Sequence, residues 1–272
     1  MNGLNKKTHL LIIVLIGIAS FAFLFTRPKS VVKDVAQTVQ ESKPDSATTS
    51  KEAAHKLSVN SEKLLQSLQA KLSSSTSKND VLKEIANLYS TESVFDSAGY
   101  YFEKIAQNQS SIENWTLAGD AYFQGFNLAL SPANMEFLVE KTRFSYNKVL
   151  ALQPTNLHAK TNLAMSFVGS DSPMKAITML REVLDQEPKY IPAIMSLGGL
   201  SMQSNQYDKA AARFQNVLQI DPTNVNAKLG LAYSLIELDK KPEAKALLTD
   251  VLSQDIDAVM KDEITKTLNS LK

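Results

Sequence analysis

The sequence predicts an all-α protein: an α-solenoid of helix-turn-helix units with a capping helix at either end, preceded by a transmembrane helix. Three observations predict it. Pro154, Pro188 and Pro222 are spaced 34 residues apart, and two of them open the identical triplets Pro154-Thr155-Asn156 and Pro222-Thr223-Asn224. A phrase recurs in one phase along the chain: Tyr146-Asn147-Lys148-Val149-Leu150, Leu180-Arg181-Glu182-Val183-Leu184, Phe214-Gln215-Asn216-Val217-Leu218 and Leu248-Thr249-Asp250-Val251-Leu252. Ahead of all of this stands an uncharged apolar run, Leu10 to Phe25. A fixed period of this kind marks a repeat array, in which each unit buries its apolar face against the next.

Taken from the N-terminus, residues 1–9 form a short head with Lys6 and Lys7, and residues 10–26 are the membrane segment, followed by Arg27-Pro28-Lys29. The 16 uncharged residues of this run make a helix of about 24 Å, which crosses a hydrocarbon core of about 30 Å only if the bilayer thins or flanking Lys and Arg snorkel. A charged region before an apolar stretch is also how a cleaved secretory signal reads, and Ser20-Phe21-Ala22 offers small residues for cleavage. Phe23-Leu24-Phe25 continues the run past that point and favours an uncleaved anchor; the alternative is a cleaved signal and a soluble periplasmic protein. Lysine and arginine flank both sides, so local charge does not orient the span. A short head before it and a large domain after it fit a cytoplasmic head and a body that is periplasmic or otherwise outside the cytoplasm.

Residues 27–50 are rich in Ser, Thr, Lys and Gln and hold Pro28 and Pro44, too little apolar surface to order a chain, so a disordered tether is expected. Residues 51–73 then place Leu57, Leu64, Leu65, Leu68 and Leu72 on one face of a leading amphipathic helix, suited to cover the array that follows.

Extending the frame upstream catches Ala98-Gly99-Tyr100-Tyr101-Phe102 and Trp115-Thr116-Leu117-Ala118-Gly119-Asp120-Ala121-Tyr122. With the 34-residue period, these phrases resemble the tetratricopeptide repeat (TPR) family, whose unit carries a W-x2-L-G-x2-Y…A-x3-F…P pattern. The resemblance covers 79–256 as about five units, 79–111, 112–156, 157–190, 191–224 and 225–258, and implies a right-handed solenoid. It assigns the small residue of helix A to Ala86, Gly119, Ala164, Gly198 and Ala232, and that of helix B to Ala98, Thr142, Ala176, Ala210 and Ala244. Two helices cross closely only where a side chain is nearly absent; Phe102, Tyr146, Leu180, Phe214 and Leu248, one turn along helix B, fill the space beside the crossing. Proline past helix B prevents its continuation.

Two departures stand out. Ile105, Val149, Val183, Val217 and Val251 replace the family's late alanine of helix B, and the second unit carries about eleven extra residues between Tyr122 and Tyr146. That insertion includes Ser131-Pro132, an N-cap followed by proline at the first helical position, so both helices of the unit are expected to lengthen and project. Residues 259–272 add an apolar face of Val259, Met260, Ile264, Leu268 and Leu271, the capping helix of a solenoid.

The chemistry of catalysis is thin. The chain has no Cys, which removes disulfides, thiolate metal sites and thiol nucleophiles, and its three His (His9, His55, His158) are too dispersed to ligate one metal. Ser30-x-x-Lys33, Ser75-x-x-Lys78 and Ser172-x-x-Lys175 match a nucleophile pattern but fall in linkers and a turn. A net charge of +1 gives no general attraction to nucleic acid. No catalytic residue, cofactor or metal is expected, and the protein reads as a binding scaffold rather than an enzyme.

The family resemblance places the second, fifth, ninth and twelfth positions of each unit in the concave groove. Carried over, these are Lys83 and Asn87; Thr116, Asp120 and Phe123; His158, Thr161, Met165 and Val168; Met195, Gly199 and Met202; and Leu229, Tyr233 and Ile236. The groove would then run from polar to apolar, with Met165, Met195 and Met202 suited to an amphipathic helix or an extended apolar peptide. The same side chains also suit packing against the chain's own leading and capping helices. Only Lys83 and Asn87 fit the carboxylate clamp known in the family, and Asp120 would repel a carboxylate. The order of segments is similar to bacterial membrane-anchored TPR scaffolds, some of which assemble envelope complexes; the partner expected is a protein or peptide. A homo-oligomeric assembly factor, joined through the leading helix or the second-unit insertion, is the alternative, and an envelope enzyme with an unrecognised site the remote one.

Overall fold

The computed structural model describes residues 57–169 and 172–271. The expected head, membrane span and tether lie outside the described residues, and no helix among the described residues is long and apolar enough to cross a membrane. Within them are twelve helices and no strand. Helix α1 (Val59–Ser74) precedes five antiparallel pairs: α2 (Lys78–Thr91) with α3 (Phe95–Asn108), α4 (Ile112–Leu128) with α5 (Pro132–Leu152), α6 (Leu157–Met165) with α7 (Pro173–Gln186), α8 (Ile191–Gln203) with α9 (Tyr207–Ile220), and α10 (Val225–Glu237) with α11 (Lys241–Leu252). Helix α12 (Ala258–Ser270) follows the last pair.

Local chemistry explains where the helices start. In both Pro-Thr-Asn triplets the asparagine is the N-cap of the next unit: Asn156 Oδ1 accepts from the N–H of Ala159 at 2.9 Å and Asn224 Oδ1 from that of Ala227 at 3.0 Å. The prolines themselves stand exposed, two residues past the ends of α5, α7 and α9. Ser131 caps α5 by accepting from Asn134 N–H, with Pro132 at its first position, and the insertion makes α4 and α5 the longest pair, at 17 and 21 residues. Between helices A and B of three units a non-glycine residue sits at φ 58°: Ser93, Asn205 and Asp239. Asn and Asp tolerate this left-handed turn better than Ser does.

The leading helix differs from expectation in its start. Leu57 and Ser58 are not helical; Ser58 caps α1 by accepting from Ser61 N–H, and Glu92 at the end of α2 accepts from Ser58 N–H at 3.2 Å and from Ser61 Oγ at 2.6 Å. That carboxylate fixes the entry of α1 onto the first unit. Leu68 is buried and Leu65 and Leu72 pack against Val81 and Ile85, but Leu64 is about half exposed and takes no part in this face. A second difference is in the third unit, where helix A ends at Met165 and Val168 lies in the following turn. Arg143 on α5 explains the early stop: its Nε donates to Ser166 Oγ and its Nη2 to the Ser166 carbonyl at 2.6 Å, capturing a carbonyl at the helix end.

The repeated core rests on missing side chains. Ala86, Ala98, Ala164, Ala176, Ala210, Ala232 and Ala244 are fully buried, as are Tyr146, Leu180, Phe214 and Leu248 beside them; Phe102, Trp115 and Tyr122 are buried too. A Cβ on Gly119 would stand 2.8 Å from the Tyr146 ring, and one on Gly198 2.7 Å from the Phe214 ring. Phe214 is also met by Gly230 of the next unit, where a Cβ would again stand 2.7 Å away. One ring is thus held between two glycines of successive units. Val149, Val183, Val217 and Val251 are fully buried behind these crossings. Thr142, at the position where four units have alanine, buries its hydroxyl without a hydrogen-bond partner.

Gly198→Ala is expected to lower unfolding free energy by about 2 kcal/mol, the cost of overpacking a fixed ring. Chemical denaturation of Gly198→Ala, Phe214→Leu and the double variant checks this: the double variant should lose less than the sum of the singles. Additive losses would remove the ring-to-glycine contact as the cause.

Candidate partner-binding groove

The first helices of the five pairs, α2, α4, α6, α8 and α10, supply the expected groove positions. Lys83, Asn87 and His158 are exposed; Thr116, Asp120, Phe123, Met195, Leu229 and Ile236 are partly exposed. Thr161, Met165, Val168, Met202 and Tyr233 are buried, none above 9% exposure. Met165 and Val168 pack with Ala176, Leu180 and Leu197, and Met202 packs with Ala210, Phe214, Leu231 and Tyr233. The Met-lined groove is therefore corrected to a single methionine, Met195. At 100° per residue the four positions of a unit spread over about 80° of helix surface, more than neighbouring helices on both sides leave open. Tyr233 is covered further by α12, which lies beside its ring at Glu263 and Thr267.

What remains open has two parts. A strip of Phe123, Met195, Leu229 and Ile236 is apolar and partly exposed. At its N-terminal side stands a polar network that ties unit two to unit three. Asp120 Oδ1 accepts from Tyr146 Oη and pairs with His158 Nε2, both at 2.6 Å, while Asn162 Nδ2 donates to Tyr146 Oη at 2.9 Å. His158 Nε2 is also 3.2 Å from Asn162 Nδ2, but a ring nitrogen whose proton is given to Asp120 has no lone pair left to accept. The hydrogen bond to Asp120 raises the His158 pKa above its ordinary 6.5, with burial opposing and the carboxylate's charge adding. Burial, together with the nearby Asp120, also holds the Tyr146 hydroxyl firmly protonated.

Sequence reasoning missed a second polar lock, on Glu103 of α3. This carboxylate is buried, accepts from Tyr122 Oη at 2.7 Å and Gln107 Nε2 at 3.0 Å, and pairs with Lys141 Nζ at 3.0 Å. Glu103 and Lys141 are 38 residues apart, and neither belongs to the repeat phrase, so no spacing signal pointed to them. Burial and the Glu103 hydrogen bond push the Tyr122 hydroxyl well up in pKa. The lock joins α3, α4 and α5; it organises the scaffold and leaves no polar atom directed at a ligand.

The tetratricopeptide repeat pattern matches residues 201–260, within α8 to α12. Residues 201–260 carry tetratricopeptide repeat sequence. Among solved structures, a TPR protein from Parabacteroides merdae is similar over 78% of this chain and 82% of its own, at 14% identity and a TM-score of 0.57. PilW, a type IV pilus biogenesis factor, is similar over 77% of this chain and 91% of its own, at 17% identity and a TM-score of 0.55. A thermophilic TPR protein from Thermus thermophilus is similar over 71% of this chain and 98% of its own, at 16% identity and a TM-score of 0.52. These likenesses are of fold. No curated protein matches the sequence. Along the array of helix pairs, Pro154, Pro188 and Pro222 are punctuation and the alanine and glycine positions are crossings, as the packing shows.

Because the His158 pKa is raised on folding, its contribution is fully present below pH 6.5 and is lost as pH rises through the folded-state titration. NMR titration of the imidazole should find His158 titrating above 6.5 in the wild type and moving back toward 6.5 in Asp120→Asn. Equal midpoints in the two proteins would dissolve the pair.

Proposed function

We propose that this TPR domain is a non-catalytic scaffold that holds a partner protein or peptide along its concave face, on the strip formed by Phe123, Met195, Leu229 and Ile236. The observation that carries the reading is the partial exposure of these four apolar side chains on the first helices of the second, fourth and fifth units, beside core residues that the chain covers itself. An extended apolar segment fits such a strip, and its polar end would lie at Asp120 and His158. Lys83 and Asn87 at the exposed end of the face extend the surface for side chains of the partner.

Membrane tethering through residues 10–26 and a body outside the cytoplasm belong to the same proposal and rest on the sequence alone. So does a role in assembling envelope complexes; the likeness of fold to PilW, a pilus biogenesis factor, agrees with it. A homo-oligomeric reading is favoured by one observation: at the end of the second-unit hairpin Leu130 is 88% exposed and Leu128 56%. Light scattering after size exclusion separates the two readings, since a concave-face scaffold need not self-associate.

Met195→Glu combined with Leu229→Glu should keep the helical circular dichroism and lower partner affinity at least tenfold, measured by in-cell cross-linking from Phe123 followed by quantification of each cross-linked protein. Unchanged cross-links in a folded variant would remove the strip from consideration. A reporter enzyme active only outside the cytoplasm, fused after Lys272, should be active; full expression without activity would reverse the proposed topology.

A further inference from the structure

The second helices of the first two units carry, at one register, an exposed ring and a lysine that the second helices of the other units lack there. Tyr100 and Phe144 occupy the same register, each two residues before the core ring of its helix (Phe102 and Tyr146), and each is followed four residues later by a lysine, Lys104 or Lys148. Both rings are exposed, at 49% and 42%, and the lysine Nζ stands 4.4 Å from the Tyr100 centroid and 5.3 Å from that of Phe144. Two helical turns earlier on α5, Phe137 is 47% exposed with Lys141 above it. In units three to five the same register holds Thr178 and Glu182, Ala212 and Asn216, and Ala246 and Asp250. The repeat itself therefore does not require the aromatic and lysine pair; where packing alone decides, the outer face is small and neutral or acidic.

Lys141 is committed to Glu103, but among the described residues neither Lys104 nor Lys148 pairs with a carboxylate. A lysine held over an exposed ring offers a partner two things at once: an apolar plane and a cation needing an anion. An anionic bilayer meets this description locally but not globally, because residues 79–156 carry nine carboxylates against five cations and would be repelled by an extended negative surface. A single amphipathic segment meets only the stripe. Glu136 and Glu140 lie at the hairpin end of α5, so its cationic end is at Lys148.

We infer that the outer face of the first two units is a second docking surface, which takes an acidic amphipathic helix of another protein. Its apolar side chains lie on Tyr100, Phe137 and Phe144, and its carboxylates pair with Lys104 and Lys148. This surface is on the second helices, away from the concave strip, so a scaffold of this kind holds two partners at once. The chain's single tryptophan reports on it: Trp115 lies edge-on to Phe144 with ring centroids 5.6 Å apart, and Lys148 Nζ is 6.0 Å from its ring.

The test is a selection of displayed random 16-residue peptides on the immobilised full-length chain. Enriched peptides should carry Glu or Asp beside Leu or Phe at helical spacing, change Trp115 fluorescence on titration, and bind at least tenfold more weakly to the Lys104→Glu, Lys148→Glu variant. Neither lysine belongs to the buried core, so that variant should keep its helical spectrum; Lys104→Gln with Lys148→Gln is the milder check, with an intermediate loss expected. Enriched peptides without acidic residues, or affinity indifferent to charge reversal, would overturn the inference. Sedimentation with phosphatidylglycerol vesicles that depends on the same lysines, without peptide binding, would overturn it in favour of a lipid surface. Met195→Glu with Leu229→Glu should leave this binding intact, so failure here and failure of the concave strip are told apart.

Discussion

The fold depends on helices that approach too closely for a side chain to stand between them. At each crossing one helix contributes alanine or glycine and the other a large ring or leucine, and neither choice works without the other. Gly119 against Tyr146 and Gly198 against Phe214 show the limit, since a single added carbon on either glycine would overlap the ring. Polar groups refine this arrangement. Glu103 with Lys141 and Tyr122, and Asp120 with Tyr146 and His158, fasten the first three units to one another, and Asn156 and Asn224 set where the next helix begins.

The concave face is partly consumed by the chain that makes it. Met165, Val168 and Met202 stabilise the array by leaving water, at roughly 1.5–3 kcal/mol for a fully buried large apolar side chain, and are then lost to any ligand. In the proposed reading, binding capacity survives where a first-helix side chain stays partly exposed, as at Met195 and Leu229, although both also pack on the core. Stability and recognition thus compete for the same apolar residues, and the angle at which a residue leaves its helix decides the outcome.

Much of the architecture was legible in the sequence because a repeat states its own rule several times. The prolines, the small residues and the valines late in helix B recur at fixed spacing, and each recurrence has one packing reason. The groove was less legible. A family position gives a direction around a helix, but whether Thr161 or Thr116 sees solvent depends on how tightly the next pair closes, and that is a property of three helices together. Glu103 and Lys141, brought together across 38 residues by the extra length of α5, carried no local signal. Arg143 stops α6 at Met165 through a carbonyl on another unit, which no propensity of residues 157–168 expresses.

The ring of Phe214, clasped by Gly198 on its own unit and Gly230 on the next, has a mechanical consequence. A solenoid flexes by small rotations between neighbouring units, and its stiffness at each joint is set by what must move when the joint turns. Between the fourth and fifth units a bend in either direction drives a flat ring into backbone that has no side chain to yield. Between the second and third, the joint turns on hydrogen bonds among Asp120, Tyr146, Asn162 and His158, which tilt before they break. The joint between the fourth and fifth units should therefore resist bending more than that between the second and third, and a like contact guards the joint between the first and second, where a Cβ on Gly99 would stand 2.5 Å from the Tyr122 ring.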